Sequence, residues 1–448
     1  MISSNKKEPF LLLFGDLVAL FLALWLMLLL RYVSIPDEEL FISHLAPFSI
    51  LFVVWVMVFF IAGLYEKHTL ILKSKIGSVI FNAQVVNSFV AVLFFYLIPY
   101  FGITPKTNLF IYLVVSFILI FAWRLQLFPS FQIKKKQNTI LVGSGEELRE
   151  LESEVNNNPR YDLYFVSSIN LDEIRSFNFK EEILNRIYSE GISIIAADFK
   201  DEKVEPLLPN FYNLIFSKIK FVDMHKIYED IFDRIPLSLV KYSWFLENIS
   251  GSTQKGYDFM KRLMDIVLSL VFGLLSLILY PFVFIAIKIE DRGPMFFVQD
   301  RVGRNNKTFR VIKFRSLEVH GSRDGIAKNP SPTKVGKFLR KTRIDELPQL
   351  WNVLKGDLSL IGPRPEIPAL VRQYEKEIPY YNVRHLIKPG LSGWAQLYQA
   401  TPPKFKPQKD ETRTKLSYDL YYIKNRSLVL DLKVALRTLK ILLSREGI

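Results

Sequence analysis

The sequence predicts a mixed membrane protein: four N-terminal transmembrane helices, a small α/β domain, and a C-terminal α+β domain that contains a re-entrant membrane helix. Three observations predict it. Half of the 448 residues are hydrophobic, the mean hydropathy is +0.18, and the apolar runs crowd into the first third of the chain, as in membrane proteins. From about Asn138 they give way to short apolar runs alternating with helical periodicity, the pattern of a parallel sheet with crossover helices. A last long apolar segment is interrupted by proline and flanked by cations at both ends.

The four stretches are roughly Phe10–Leu30, Ala46–Tyr65, Ile80–Tyr100 and Leu109–Trp123, the fourth being the shortest. Each approaches the ~20 residues that cross a bilayer, and together they make a domain over residues 1–130. The first run is too long for a signal-peptide core and lacks a small-residue cleavage site, so it reads as a retained helix. Lys6, Lys7, Lys67, Lys73, Lys75, Arg124 and Lys134–Lys136 fall on one side, whereas the other loops hold Arg31, Lys106 and the acids Asp37, Glu38 and Glu39. Positive-inside bias puts the amino terminus and everything after the fourth helix in the cytoplasm. The net charge of +14 favours anionic partners. With so much apolar sequence, these are membrane lipids and phosphorylated substrates rather than nucleic acid. Cysteine is absent, which excludes disulfides, thiolate catalysis and zinc–thiolate sites.

Residues 136–245 form the second domain. Thr139–Val142 is an apolar strand running into the turn Gly143-Ser144-Gly145, and Leu148–Val155 follows as a helix. The runs Tyr161–Ile169, Ile192–Ala197 and Ile219–Val222 supply further strands, giving a small Rossmann-like (CoA-binding-like) sheet. The turn starts like a dinucleotide fingerprint, but Leu148 stands where the third glycine is expected. A lone GxG is a weak signal, so no bound cofactor is expected in this domain.

The third domain spans residues 255–448, with a membrane segment at about 263–289. Pro281 falls inside that segment and removes a helical hydrogen bond, so a break is expected there. Lys255, Lys261 and Arg262 come before it, and Lys288, Arg292, Arg301, Arg304 and Lys307 after. Cations at both ends favour entry and exit by the cytoplasmic face, a re-entrant helix with Asp265 at its entrance. The last amphipathic stretch, Leu428–Leu443, bears Lys433, Arg437 and Lys440. It suits a helix on an anionic membrane surface and, equally, a core-facing helix with a solvated basic face.

Charged residues then gather in short segments bounded by Gly and Pro. Phe309–Ser316 alternates at strand period, so Val311, Lys313 and Arg315 share a face. Two cations on one face suit a phosphate, although a solvated edge strand uses Lys and Arg in the same way. Arg340 and Arg343 precede Asp345-Glu346, and Pro348 follows, which predicts a helix beginning near the acids. Acids at a helix start need no functional explanation. Adjacent helical residues point about 100° apart, however, so the two divide labour rather than share one proton. Arg364 lies between two prolines that stiffen its backbone and lower the entropy cost of aiming one guanidinium at phosphate.

Four ordered segments, DELPQLWNVLKGD at Asp345–Asp357, GPRPE at Gly362–Glu366, KPGLSGWAQ at Lys388–Gln396 and DLYYI at Asp419–Ile423, together resemble the bacterial polyprenyl-phosphate phosphoglycosyltransferases of monotopic type. The resemblance covers about Tyr257 to the end, and the N-terminal parts are similar in architecture to the long form that initiates O-antigen, capsule and exopolysaccharide synthesis. It implies that Asp345 attacks the β-phosphate of a UDP-sugar, releases UMP, and passes the sugar phosphate to polyprenyl (undecaprenyl) phosphate. It further implies that Glu346 assists through Mg²⁺ or a proton, with Asp345 and Glu346 as candidate metal ligands. Lys313, Arg315, Arg340 and Arg364 would bind phosphate, while Glu366 and Asp419 would support the site. The implied location is the bacterial inner membrane, with the soluble and catalytic domains on the cytoplasmic side. Two departures are Tyr280 before Pro281, where the family often has Ser, and Leu317 where it usually has Met. Oligomeric state stays open, a homodimer among the options, and so does the sugar.

Isolated candidates are weaker. His320 and His385 read as solvated or structural, and Trp394 as packed rather than as a platform for a base. A membrane-anchored nucleotide-sugar dehydratase would also join helices to an α/β domain, but Tyr374 and Lys376 have the wrong spacing for its Tyr-x-x-x-Lys base. A non-catalytic scaffold for polysaccharide assembly is the other alternative.

Overall fold

Helices satisfy every backbone polar group within the segment, as a lipid-crossing chain requires, and in the computed structural model the four N-terminal runs are helices. The structure describes residues 7–65, 73–98, 105–128, 136–158, 161–173, 183–199, 201–217, 219–237, 241–249, 254–318, 331–399 and 409–444. Lys6, Lys67, Lys134, Lys135 and His320 lie outside the described residues. The chain divides into two units, Met1–Ile231 and Phe232–Ile448.

In the first unit, α1 (Lys7–Tyr32), α2 (Glu38–Ile61), α3 (Lys73–Leu97) and α4 (Pro105–Ala122) are long and apolar enough to cross a membrane, α4 together with the π turn Trp123–Leu127 that extends it. Helix α2 starts eight residues before the stretch beginning at Ala46, because Asp37 caps it by accepting from the Leu40 N–H at 2.9 Å and Glu38 and Glu39 sit in its first turn. Those acids are stabilised by the helix N-terminus rather than left in a loop. The fourth span is longer than expected for a related reason. Arg124, counted above as a loop charge, is buried at 6% exposure and ion-pairs with Asp16 of α1. It also donates to the Leu64 carbonyl at 2.8 Å, and the Tyr65 hydroxyl donates to Asp16 at 2.6 Å. Neutralised in this way, Arg124 no longer ends the helix and contributes little to the charge bias of the loops.

The same unit holds β1 (Gln137–Gly143), α5 (Glu146–Asn156), β2 (Leu163–Asn170), α6 (Asn185–Ser189), β3 (Ile194–Ala197), α7 (Leu208–Leu214), β4 (Lys220–Asp223) and α8 (Met224–Phe232). The strands form one parallel sheet in the order β2-β1-β3-β4. Its central strand β3 is buried along its whole length, as parallel sheets covered on both faces require.

The second unit runs α9 (Tyr242–Asn248), α10 (Lys255–Leu277), α11 (Tyr280–Asp291), β5 (Phe296–Val302), β6 (Thr308–Phe314), α12 (Lys334–Lys341), α13 (Gln349–Lys355), β7 (Ser359–Ile361), α14 (Pro368–Glu377), β8 (Gly390–Ser392), α15 (Trp394–Tyr398), α16 (Lys409–Lys424) and α17 (Leu428–Ser444). Helices α10 and α11 are bent by 53° at a short break. Pro281 occupies the first turn of α11 and has no N–H for the carbonyl four residues back, at Leu277, where α10 ends. The break therefore falls just before Pro281 rather than at it. One stripe of α10, Asp265, Ser269, Gly273 and Ser276, is buried, while Phe272, Leu275, Ile278 and Phe282 are exposed. At the base of α10, Lys261 pairs with Asp431 of α17 at 2.7 Å. Arg262 donates to the Val353 and Leu354 carbonyls of α13, both at 2.7 Å, and Asp265 accepts from Ser359 Oγ and Leu360 N–H at 3.1 and 3.0 Å. These polar contacts fix the bent pair of apolar helices to the rest of the unit.

Strands β5 and β6 form an antiparallel ribbon, with Lys313 opposite Phe297. Strands β7 and β8 pair in parallel, and their glycines touch. A Cβ on Gly390 would lie 2.1 Å from the Gly362 nitrogen, so the GPRPE and KPGLSGWAQ segments are locked backbone to backbone. Helix α17 packs Val434 and Leu436 inward but leaves Val429, Leu432, Leu439 and Leu442 exposed.

Candidate active site

Three pieces of chain converge on the carboxylates. Helix α12 ends at Lys341, and Arg343, in the left-handed region at φ 57°, turns the chain into a 3-10 turn over Ile344–Glu346. The acids thus sit in that turn, three residues ahead of α13, because Pro348 delays the regular helix until Gln349. Strand β6 brings Lys313 to one side, and the GPRPE loop brings Arg364 to the other.

The two acids are unequal. Glu346 Oε1 accepts from Lys313 Nζ at 2.9 Å and from Arg364 Nη2 at 2.8 Å, with Arg343 at 3.9 Å. Burial alone would raise the Glu346 carboxyl, but Arg364, then Lys313 and Arg343, hold it well below the usual carboxylate range. Asp345 is 7% exposed, and its Oδ1 has no hydrogen-bond partner among the described residues. Burial, then the neighbouring Glu346 charge, pushes its carboxyl up to about 6, against Lys313, Arg340 and Arg343. Glu346 is therefore an anion held among cations, while Asp345 keeps one oxygen unpartnered among the described residues and its carboxyl is pushed up.

Arg340 ends α12 within electrostatic reach of Asp345. Arg315 goes elsewhere, since β6 stops at Phe314 and the guanidinium packs against Gly293, whose added Cβ would meet it at 1.4 Å. The shared strand face expected for Lys313 and Arg315 ends with the strand. Glu366 and Asp419 lie behind the loop in a buried network. Glu366 pairs with Lys415, and Asp419 with Arg384 at 2.8 Å. Burial raises the Glu366 carboxyl but Lys415 and Arg384 outweigh it and bring it down. For Asp419 burial prevails and the carboxyl moves up.

Sequence reasoning missed Arg384, Lys415 and Arg301. Arg384 donates Nη2 to the Arg364 carbonyl at 2.9 Å and Nη1 to Tyr381 Oη at 2.8 Å, and Arg301 donates to the Pro365 carbonyl at 3.2 Å. Together they hold the loop that aims Arg364. The sequence offered no local signal for Arg384 beyond its neighbour His385, which it read as solvated or structural. His385 is buried with neither ring nitrogen partnered among the described residues, and burial pushes it down to about 3. Trp394 is packed, 1% exposed, with Nε1 donating to the Asp233 carbonyl at 2.9 Å.

Among the described residues no group of three or more metal-ligating side chains occurs. The unpartnered Asp345 Oδ1 is a hard oxygen donor. One such carboxylate fits a divalent ion shared with substrate phosphates rather than an all-protein cage. In the first unit, the Gly145 N–H donates to Asp172 at 2.9 Å and Ser144 Oγ donates to Asp201 at 2.7 Å. Carboxylates of the chain itself thus bind this turn.

Comparison with known proteins places this geometry. The model of the bacterial sugar transferase family matches residues 256–445. The chain is 44% identical over 214 residues, 46% of this chain and 50% of the relative, to the UDP-N-acetylgalactosamine-undecaprenyl-phosphate N-acetylgalactosaminephosphotransferase of Aeromonas hydrophila. It is 39% identical over 183 residues, 40% of this chain and 39% of the relative, to the UDP-glucose:undecaprenyl-phosphate glucose-1-phosphate transferase of Escherichia coli (strain K12). The match thus spans half or less of those two relatives. With the exopolysaccharide production protein PSS of Rhizobium leguminosarum bv. phaseoli it is 39% identical over 191 residues, 39% of this chain but 94% of the relative. With that relative covered almost from end to end and the family match enclosing every residue around Asp345, the chain belongs to the bacterial sugar transferase family.

Proposed function

We propose that this protein transfers a sugar-1-phosphate from a UDP-sugar to polyprenyl (undecaprenyl) phosphate, initiating surface polysaccharide synthesis. One observation carries the proposal: of two adjacent carboxylates, Glu346 is bound by Lys313 and Arg364 while Asp345 keeps a bare oxygen. In the first step an Asp345 oxygen attacks the β-phosphorus of the UDP-sugar, and the bond from that phosphorus to the bridging oxygen breaks. UMP leaves with the electron pair, and Asp345 holds the sugar phosphate as an acyl phosphate. In the second step an oxygen of polyprenyl phosphate attacks the same phosphorus. The bond to Asp345 breaks, its carboxylate returns, and the product is polyprenyl-diphosphate-sugar. A nucleophilic carboxylate needs charge neutralisation to approach a diphosphate. Arg340, Arg343, Lys313 and Arg364 supply it around the two acids. Asp345 would hold Mg²⁺ through its unpartnered oxygen, and the ion would supply further neutralisation of the developing charge.

The polyprenyl tail requires the site to work at a membrane. The exposed apolar hairpin of α10 and α11 supports a re-entrant anchor at the cytoplasmic face of the inner membrane. Its 53° bend is the main support, since Lys261 and Arg262 among the flanking cations are already bound within the protein. The names of the relatives support UDP-sugar and undecaprenyl phosphate as substrates.

Asp345→Asn tests the reaction. UMP release is measured from a panel of UDP-sugars with undecaprenyl phosphate in nanodiscs, and the peptide bearing Asp345 is weighed after incubation with donor alone. The wild type is expected to release UMP and to gain the mass of a sugar phosphate, and the variant to do neither. Full activity in Asp345→Asn sinks the nucleophile, and no release by the wild type across the panel favours a scaffold.

A further inference from the structure

The chain from Ile344 to Lys355 coils right-handed throughout, as the 3-10 turn passes into α13. The Leu347 N–H donates to the Ile344 carbonyl and the Leu350 N–H to the Leu347 carbonyl, both at 3.1 Å. Gln349 follows Asp345 by four residues on this coil, little more than one turn further along. Both are buried, at 5% and 7% exposure. Each holds a solvent-inaccessible polar atom without a hydrogen-bond partner among the described residues: the acceptor Asp345 Oδ1 and the donor Gln349 Nε2. An acceptor and a donor so close in the chain do not bond each other.

The next carboxamide on α13 shows what a structural role looks like. Asn352 Nδ2 donates to the Arg310 carbonyl at 2.7 Å and its Oδ1 accepts from the Ile312 N–H at 3.2 Å. Gln349 Nε2 ties nothing together, although leaving a buried donor unpaired costs stability. A group that bridges the two atoms would present an electrophile to Asp345 Oδ1 and an oxygen to Gln349 Nε2. A phosphoryl group does both.

We propose that Gln349 is a further catalytic residue, its Nε2 donating a hydrogen bond to a non-bridging oxygen of the phosphoryl group transferred at Asp345. This rests on Asp345 as the nucleophile. The full-length protein in nanodiscs with undecaprenyl phosphate is assayed with the UDP-sugar that releases UMP fastest, comparing Gln349→Met and Gln349→Glu with Asp345→Asn. Both Gln349 variants are expected to lose about 10²-fold or more in kcat, as when one oxyanion donor is removed, with little change in KM. The Tm of Gln349→Met should equal or exceed that of the wild type, since methionine fills similar volume without an unpaired amide. A Gln349→Met enzyme with near wild-type kcat beside an inactive Asp345→Asn overturns the inference while leaving the reaction intact. Loss of kcat with a lowered Tm in both variants assigns Gln349 to packing and overturns it as well. Full activity in Asp345→Asn overturns the nucleophile itself, and the role of Gln349 with it.

Discussion

Two carboxylates one residue apart cannot ionise independently, and here Glu346 takes the charge. Asp345 is left to titrate at about 6, so kcat/KM of the free enzyme should fall on an acid limb near that pH. Glu346→Gln removes the negative neighbour and frees Lys313 and Arg364 from it, both of which favour the Asp345 anion. The acid limb should move to lower pH even as kcat falls, and an unmoved or raised limb in the pH–rate profile would contradict the assignment. Stability follows with its sign fixed. Because folding raises the Asp345 pKa, the folded state loses stability as pH rises from the ordinary carboxylate range through about 6. Asp345→Asn should therefore have a more favourable Tm relative to the wild type at pH 8 than at pH 4.5, by the equivalent of about 2–3 kcal/mol at most. At this scale the sequence put Asp345, Glu346 and Arg364 in short segments punctuated by Gly and Pro and Lys313 on a strand, and the structure brings Lys313 and Arg364 together on Glu346. Arg384 and Lys415 were hidden. Their partners Asp419 and Glu366 are distant in sequence, and no local spacing announces such pairs. Arg315 misled because alternation predicts a shared face only while the strand lasts.

Elements obey the same logic, with backbone contact in place of charge. The GPRPE loop aims Arg364 only because β7 and β8 lie against each other through Gly362 and Gly390. Gly390→Ala should push the strands apart, costing about 3 kcal/mol as an overpacked core does, and should lower activity through a displaced Arg364. Denaturant unfolding together with UMP release checks both. A fully stable, fully active variant would show that the pairing can give way. The N-terminal helices rest on a different contact. Asp16→Asn leaves Arg124 buried without its counter-charge and should destabilise the first unit by roughly 3–5 kcal/mol, read as a lower Tm for its transition in detergent. Hydropathy located all four helices, yet it misplaced the start of α2 and missed the π turn that extends α4. Asp37 and Arg124 look like loop charges to any scale that ignores caps and partners. The parallel strands were legible because short β-branched runs between turns admit few other readings.

For the whole molecule the open question is whether α10 and α11 leave the membrane on the side they entered. Apolar length favours a span, and the 53° bend at Leu277–Tyr280 favours return. The bend leaves the carbonyl at the end of α10 without its usual donor, which a bilayer tolerates only where protein covers the break. Tyr280 and α13 offer that cover, since Trp351 Nε1 donates to the Tyr280 hydroxyl at 3.1 Å and the Tyr280 ring packs edge-on to Phe314 at 4.8 Å. Tyr280 is thus a packing residue that ties the break to the site. Because the chain contains no cysteine, single cysteines at Glu247 and Lys307, on either side of the hairpin, can be probed without background. With a membrane-impermeant maleimide, both should label in inside-out vesicles and neither in right-side-out ones. Labelling of Lys307→Cys from the opposite face to Glu247→Cys would make the pair a kinked span. It would also put the strands that carry Lys313 across the bilayer from the cytoplasm, where nucleotide-sugars are made, and so remove the donor from the reach of Asp345.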